Sequence, residues 1–135
     1  MDNSLKIGKY IAKKISENED IKTLGITDSS KIWPIVANTN TKYPYIVYQR
    51  TSLLPEYTKD GCLYNTVTVE IKVVSDNYIK SLDIANKVRE IFEKKQYKSD
   101  DLIIKNCEID SVQEDFIEDA YVQTIDFNFM IFEDK

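Results

Sequence analysis

The stretch EIDSVQEDFIEDAY carries Asp110, Glu114, Asp115, Glu118 and Asp119, the densest set of side chains in the chain that could do chemistry. Clustered carboxylates are hard oxygen donors of the kind that hold calcium or magnesium. Their spacing fits no ion-binding loop, and Phe116 and Ile117 interrupt the run. Runs of like charge usually face water, so a solvated turn between the last two strands is the favoured reading. An ion site and a subunit contact through Glu114 and Asp115 are the alternatives. The chain has no histidine, which removes the commonest acid–base group and the commonest metal ligand together. Neither Cys62 nor Cys107, nor any serine, then has an imidazole to activate it. No glycine-rich phosphate loop occurs. A metal-dependent hydrolase built on Glu114 and Asp115 would lack a matched base and a positioning group. No catalytic, cofactor or metal residue is therefore assigned.

The elements around this stretch belong to one domain spanning residues 1–135. A chain of 135 residues that is 42% hydrophobic and 30% charged is ordinary for a folded domain and argues against disorder. The net charge of −5 and the sequence pI near 4.8 give no general attraction for phosphates, and the lysines form no basic stripe by sequence. Nucleic acid is a poor tight ligand for such a chain, although DNA could pass close by without adhering. Two cysteines make no disulfide framework, so a reducing compartment is the simpler expectation. The N-terminal stretch has no continuous apolar core and no run approaches the ~20 residues of a membrane span. The expectation is a soluble cytoplasmic protein with no membrane partner.

Leu5, Gly8, Ala12 and Ile15 recur at helical spacing, with Ile7 and Ile11 beside them, which predicts an amphipathic helix over about 4–17 capped by Ser4. Gly8 weakens that helix, and a close approach to a sheet would explain it. A connector with a turn at Gly25 follows. KIWPIVA reads as a short strand that Pro34 pushes to a sheet edge or strand end. PYIVYQRT is the next strand. NTVTVEIKVVS alternates Val67, Val69, Ile71 and Val73 with Thr66, Thr68, Glu70 and Lys72, one face dry and one wet. A second helix over about 76–95, capped by Ser75 or Asp76, buries Ile84, Ala85, Val88, Ile91 and Phe92. LIIKNCEIDSVQ and AYVQTIDFNFMIF close the chain, the latter alternating Ile125, Phe127, Phe129 and Ile131 with polar residues. The order α-β-β-β-α-β-β predicts an α+β fold, two helices on one face of a mostly antiparallel sheet.

Between the second and third of these strands lies a long arm, YPYIVYQRTSLLPEYTKDG, with Arg50, Leu53, Leu54, Tyr57, Lys59 and Asp60 on it. A type I′ turn at Asp60-Gly61 would pair Lys59 with Cys62. Tyr48 would then oppose Val73, Leu54 Val67, Gln49 Lys72, Thr51 Glu70 and Arg50 Ile71. A single β-arm kinked at Pro55 and a surface loop both fit. Tyr43, Tyr45, Tyr48, Tyr57 and Tyr64 concentrate here; interfaces favour tyrosine, and strands do too. Trp33 reads as a core plug, and Cys107 as a small buried apolar residue.

Taken together, the N-terminal helix, KIWPIVANTNTKYPYIVYQR, YNTVTVEIKVVSDNYIKSLDIANKVREIFE and SVQEDFIEDAYVQTIDFNF resemble the tail-completion, or tail-terminator, family of long-tailed bacteriophages and prophages. The resemblance spans nearly the whole chain and involves no catalytic motif. It implies an α+β structural subunit that assembles as a ring, often a hexamer, at the head-proximal end of the tail. The implied partners are copies of itself, the tail-tube protein and the head–tail connector, in the host cytoplasm and then the virion. On this reading residues 50–64 carry an inter-subunit or tube contact, through unpaired strand backbone. The competing class is a small non-catalytic binding or regulatory domain of a mobile element.

Overall fold

A computed structural model describes residues 4–59 and 61–132. A 3-10 turn at Ser4–Lys6 leads into helix α1 (Ile7–Ser16), followed by a short helix α2 (Glu19–Thr23) and a second 3-10 turn at Ser29–Lys31. Strands β1 (Ile32–Pro34), β2 (Tyr45–Thr58) and β3 (Gly61–Ser75) precede helix α3 (Tyr78–Phe92). Strands β4 (Tyr97–Lys98), β5 (Ile103–Ile117) and β6 (Ala120–Phe132) complete the fold. They form a six-stranded sheet ordered β1-β2-β3-β6-β5-β4. Every strand pair is antiparallel except β1 with β2, which is parallel.

The expected α+β class holds, and the element order holds only loosely. The segment read as a connector contains α2, whose Asn18 side chain accepts from the Ile21 N–H at 3.0 Å and supplies the cap. The strand β4 lies in KKQYKSDD, a stretch that by sequence only ends a helix. Ser4 does not cap the first helix. It is buried in the 3-10 turn and accepts from Asn65 Nδ2 at 2.9 Å. The cap of α3 is Asn77, whose side chain accepts from the Lys80 N–H at 3.0 Å, and not Ser75 or Asp76. Ser75 instead steadies that cap by accepting from the Asn77 N–H.

A small cluster of Val74, Ala120 and Val122 packs with Tyr45, and the main core lies between the helices and one face of the sheet. The alternating residues of β3 (Val67, Val69, Ile71, Val73) and β6 (Ile125, Phe127, Phe129, Ile131) are all buried there, with Ile84, Ala85, Val88 and Phe92 of α3 above them. Each of these larger side chains contributes about 1.5–3 kcal/mol on burial. Helix α1 buries Ile7, Tyr10, Ile11 and Ile15, so its inner stripe is turned from the one expected: Leu5 is 66% exposed. Gly8 marks a close approach to the sheet, because a Cβ there would lie 2.9 Å from Cε2 of Tyr48. Gly25 turns the chain at φ +114°, with Pro44 against it. Trp33 is half-buried on β1 and lies outside the core cluster, contrary to its reading as a plug.

Strands β2 and β3 pair along their whole length, which settles the arm as strand and removes the loop alternative. The register differs from the expected one. Tyr48 opposes Ile71, Gln49 Glu70 and Arg50 Val69, and the hairpin closes with Thr58 opposite Gly61. Lys59 therefore lies in the turn, Lys59 does not pair with Cys62, and Asp60 falls outside the described residues. The register shifts between Arg50 and Ser52, so Thr51 bulges and the face alternation reverses. Leu53, not Leu54, then opposes Val67 and packs half-buried on the core, while Leu54 turns to the other face. Alternation alone cannot show such an insertion. Strand β5 shifts register between Ile109 and Ser111, at the same height across the sheet, because Arg50 pairs through Val69 and Phe127 to Ile109.

Candidate functional site

The residues singled out by sequence fall into two places. Arg50, Leu53, Leu54, Tyr57 and Lys59 lie along the far half of β2 and its turn, whereas Glu114 and Asp115 lie on β5. The strand order puts β2 and β5 on opposite sides of the sheet. The pairings Tyr64 with Phe132 and Phe116 with Tyr121 put them at opposite ends as well. They are not brought together.

On the β2 side, Arg50 sits on the helix face, and its guanidinium Nη1 donates to the Leu5 carbonyl at 3.3 Å. That bond gives the charge an exit at the rim of the core, which resolves its awkward place opposite an apolar residue. Leu54 is 59% and Tyr57 73% exposed. β1 covers β2 only at Ile46, Val47 and Tyr48, with the Ile35 N–H adding a bond to the Tyr48 carbonyl at 2.8 Å. Beyond that point no described strand pairs with the outer edge of β2. Pro55, which has no N–H to give, fits a strand only at such an edge.

On the β5 side, the acidic stretch is not a solvated turn. The strand runs on to Ile117, and only Glu118 and Asp119, with φ of +51° and +64°, make the hairpin turn. β4 covers β5 only at Ile103 and Ile104, and the Lys94 N–H donates to the Cys107 carbonyl at 2.7 Å. From there to Ile117 no described strand covers the outer edge. Glu114 accepts from the Tyr78 hydroxyl at 3.0 Å and from Gln123 Nε2 at 3.2 Å, tying the start of α3 to the strand. The Glu114 bond raises the Tyr78 hydroxyl above its ordinary pKa. Asp115 is exposed opposite Val122. Among the described residues no group of three or more acidic or cysteine side chains could hold a metal ion.

By sequence Phe116 and Ile117 only interrupt an acidic run, and Val112 does not stand out. In the structure all three are exposed, Phe116 by 59%, and they make this edge apolar as well as acidic. The signal was present as apolar residues inside a polar run, and it needed the strand to give it a direction. The tyrosines divide. Tyr43 and Tyr45 stack at 5.8 Å, Tyr48 packs half-buried on the core, and Tyr57 is free of it. Lys6 of the first 3-10 turn and Lys9 and Lys13 of α1 border a cleft of about 370 Å³ with Tyr10, Tyr97, Ser99 and Asp101, a local gathering of lysines that the linear sequence conceals.

This architecture has solved counterparts. The chain shares the fold of a virion chain. That chain comes from the virion of a native gene transfer agent particle, with a TM-score of 0.77 at 10% identity over 90% of this chain and 91% of that one. A second solved structure, whose name states no function, matches with a TM-score of 0.58 at 10% identity, over 94% of this chain and 97% of that one. No protein-family model and no curated protein matches the sequence.

Proposed function

We propose that the chain is a structural subunit of a phage-type virion, with no catalytic role, that caps the tail tube at its head-proximal end as a ring and joins it to the head connector. The observation that carries this reading is the fold shared with a gene transfer agent virion chain over nine-tenths of both molecules. The sequence resemblance to tail-completion proteins supports the finer role, and it favours a hexamer. The physical character of the molecule agrees with it. Its sheet leaves two long edges for partners, and its outer face carries hydrogen-bonded polar pairs such as Thr68 with Asn128 and Ser111 with Asp126. A net charge of −5 would let DNA slide past the ring without adhering.

The test is tube growth. Purified tail-tube subunits from the same particle are polymerised with and without the chain, and tube lengths are measured by electron microscopy. Capping predicts shorter tubes with extra density at one end, in proportion to added protein. Lengths that do not change, with the chain absent from tube ends, would overturn the reading.

A further inference from the structure

We infer that the open edge of β5 is the acceptor for a second copy of this chain, which lays the open half of its β2 along Ser111–Ile117 and so continues the sheet from subunit to subunit. The inference rests on the ring reading above and names the contact that would close the ring. Each strand edge is covered at one end only, by β1 at Ile46–Tyr48 and by β4 at Ile103–Ile104. The open runs are therefore diagonally opposed, so one copy's donor edge meets its neighbour's acceptor edge with a stagger and without a clash between β1 and β4.

The strand directions agree. β2 runs antiparallel to β3, β3 to β6 and β6 to β5, so β2 and β5 point in opposite directions. An identically oriented neighbour then brings β2 against β5 as an antiparallel pair. Such a head-to-tail contact uses two different surfaces and closes into a ring when its rotation allows.

The backbone groups are aimed outward. Alternate residues of an antiparallel strand direct their N–H and C=O to opposite sides. Ile117 closes the hairpin opposite Ala120, so Phe116, Glu114 and Val112 direct theirs away from β6. Thr58 closes the other hairpin opposite Gly61, so Tyr57 does the same on β2. Charge is complementary on balance: Glu114 and Asp115 stand on the acceptor edge, while the donor carries Arg50 and Glu56, with Lys59 in the turn beside it. Pro55 and the bulge at Thr51 shorten the donor, which blunts indiscriminate pairing and leaves a limited stretch to match.

Two substitutions test this. Tyr57→Pro and Val112→Pro each delete one outward N–H while leaving the bonds inside the sheet in place. Assembly state is read by light scattering and negative-stain imaging, free and on tail tubes, with circular dichroism as the check on folding. Each variant alone is expected to lose rings, and an equal mixture to give dimers of one copy of each, joined by the single intact edge pair. Should either proline unfold the chain, Leu54→Lys and Val112→Lys keep every N–H and must abolish rings in the same way. Rings that persist in all of these variants overturn the edge contact while leaving the capping reading intact. Wild-type protein that caps tubes without self-association overturns the edge contact too, and protein that neither assembles nor caps overturns both.

Discussion

Tyr10 shows how one buried polar group ties stability to pH. Its ring meets Phe92, Tyr97 and Phe129 with centroids 5.8, 4.6 and 6.4 Å away. Burial, with smaller contributions from Cys107 and Tyr97, pushes its hydroxyl from 10.0 up to about 12. The folded state thus holds this proton more tightly than the unfolded chain does. Its contribution is complete below the unfolded value of 10.0 and is lost as pH rises towards about 12. Thermal melts should therefore fall between pH 9 and 11.5 in the wild type, and fall less in Tyr10→Phe; equal slopes would refute the assignment. Cys107 is buried in the same core, and desolvation raises its thiol, which makes it an inert packing residue. Gly8 tests the helix–sheet approach. Alanine normally adds about 1 kcal/mol in a helix, but the Tyr48 ring occupies the space its Cβ needs. Gly8→Ala should give no gain in denaturant midpoint alone and recover it in a Tyr48→Ala background.

At the scale of elements, β3 and β6 are the spine of the fold. Phe129 is fully buried, between Tyr10 and Phe92. Phe129→Ala should cost about 3–5 kcal/mol by urea unfolding, whereas Tyr57→Ala, exposed beyond the core, should change the unfolding free energy by less than about 0.5 kcal/mol. These two strands and the inner face of α3 were legible in the sequence because their alternation and helical spacing run without interruption. The register of β2 was not legible. The bulge at Thr51 is a backbone insertion with no side-chain signature, and it exchanged the roles of Leu53 and Leu54. The length of β5 was obscured for another reason: carboxylates have low strand propensity, yet an edge with one wet side accepts Glu114 and Asp115. The short elements α2 and β4 depend on tertiary contacts, since helices of a single turn or so and two-residue strands are marginal alone. The candidate site was half visible. The arm carried its signal in exposed Leu54 and Tyr57, while Val112, Phe116 and Ile117 became recognisable only when β5 proved to be an uncovered edge.

Seen whole, the molecule offers two unlike, diagonally placed strand edges on a single-layer sheet whose other side is closed by helices. That arrangement suits a part that fits between neighbours. The fold is shared with a gene transfer agent virion chain, and the place proposed for this chain is the joint between tube and connector. Self-assembly through the proposed edge contact should weaken with salt only modestly, since that contact would join backbone groups and apolar side chains as well as charged ones. Position within an assembled particle is the decisive quantity. Particles carrying a tagged copy of the chain, imaged with a gold-labelled antibody, should show label at a single point, where the tail meets the head. Label spread along the tail, confined to its far tip, or missing from intact particles would contradict the proposed role.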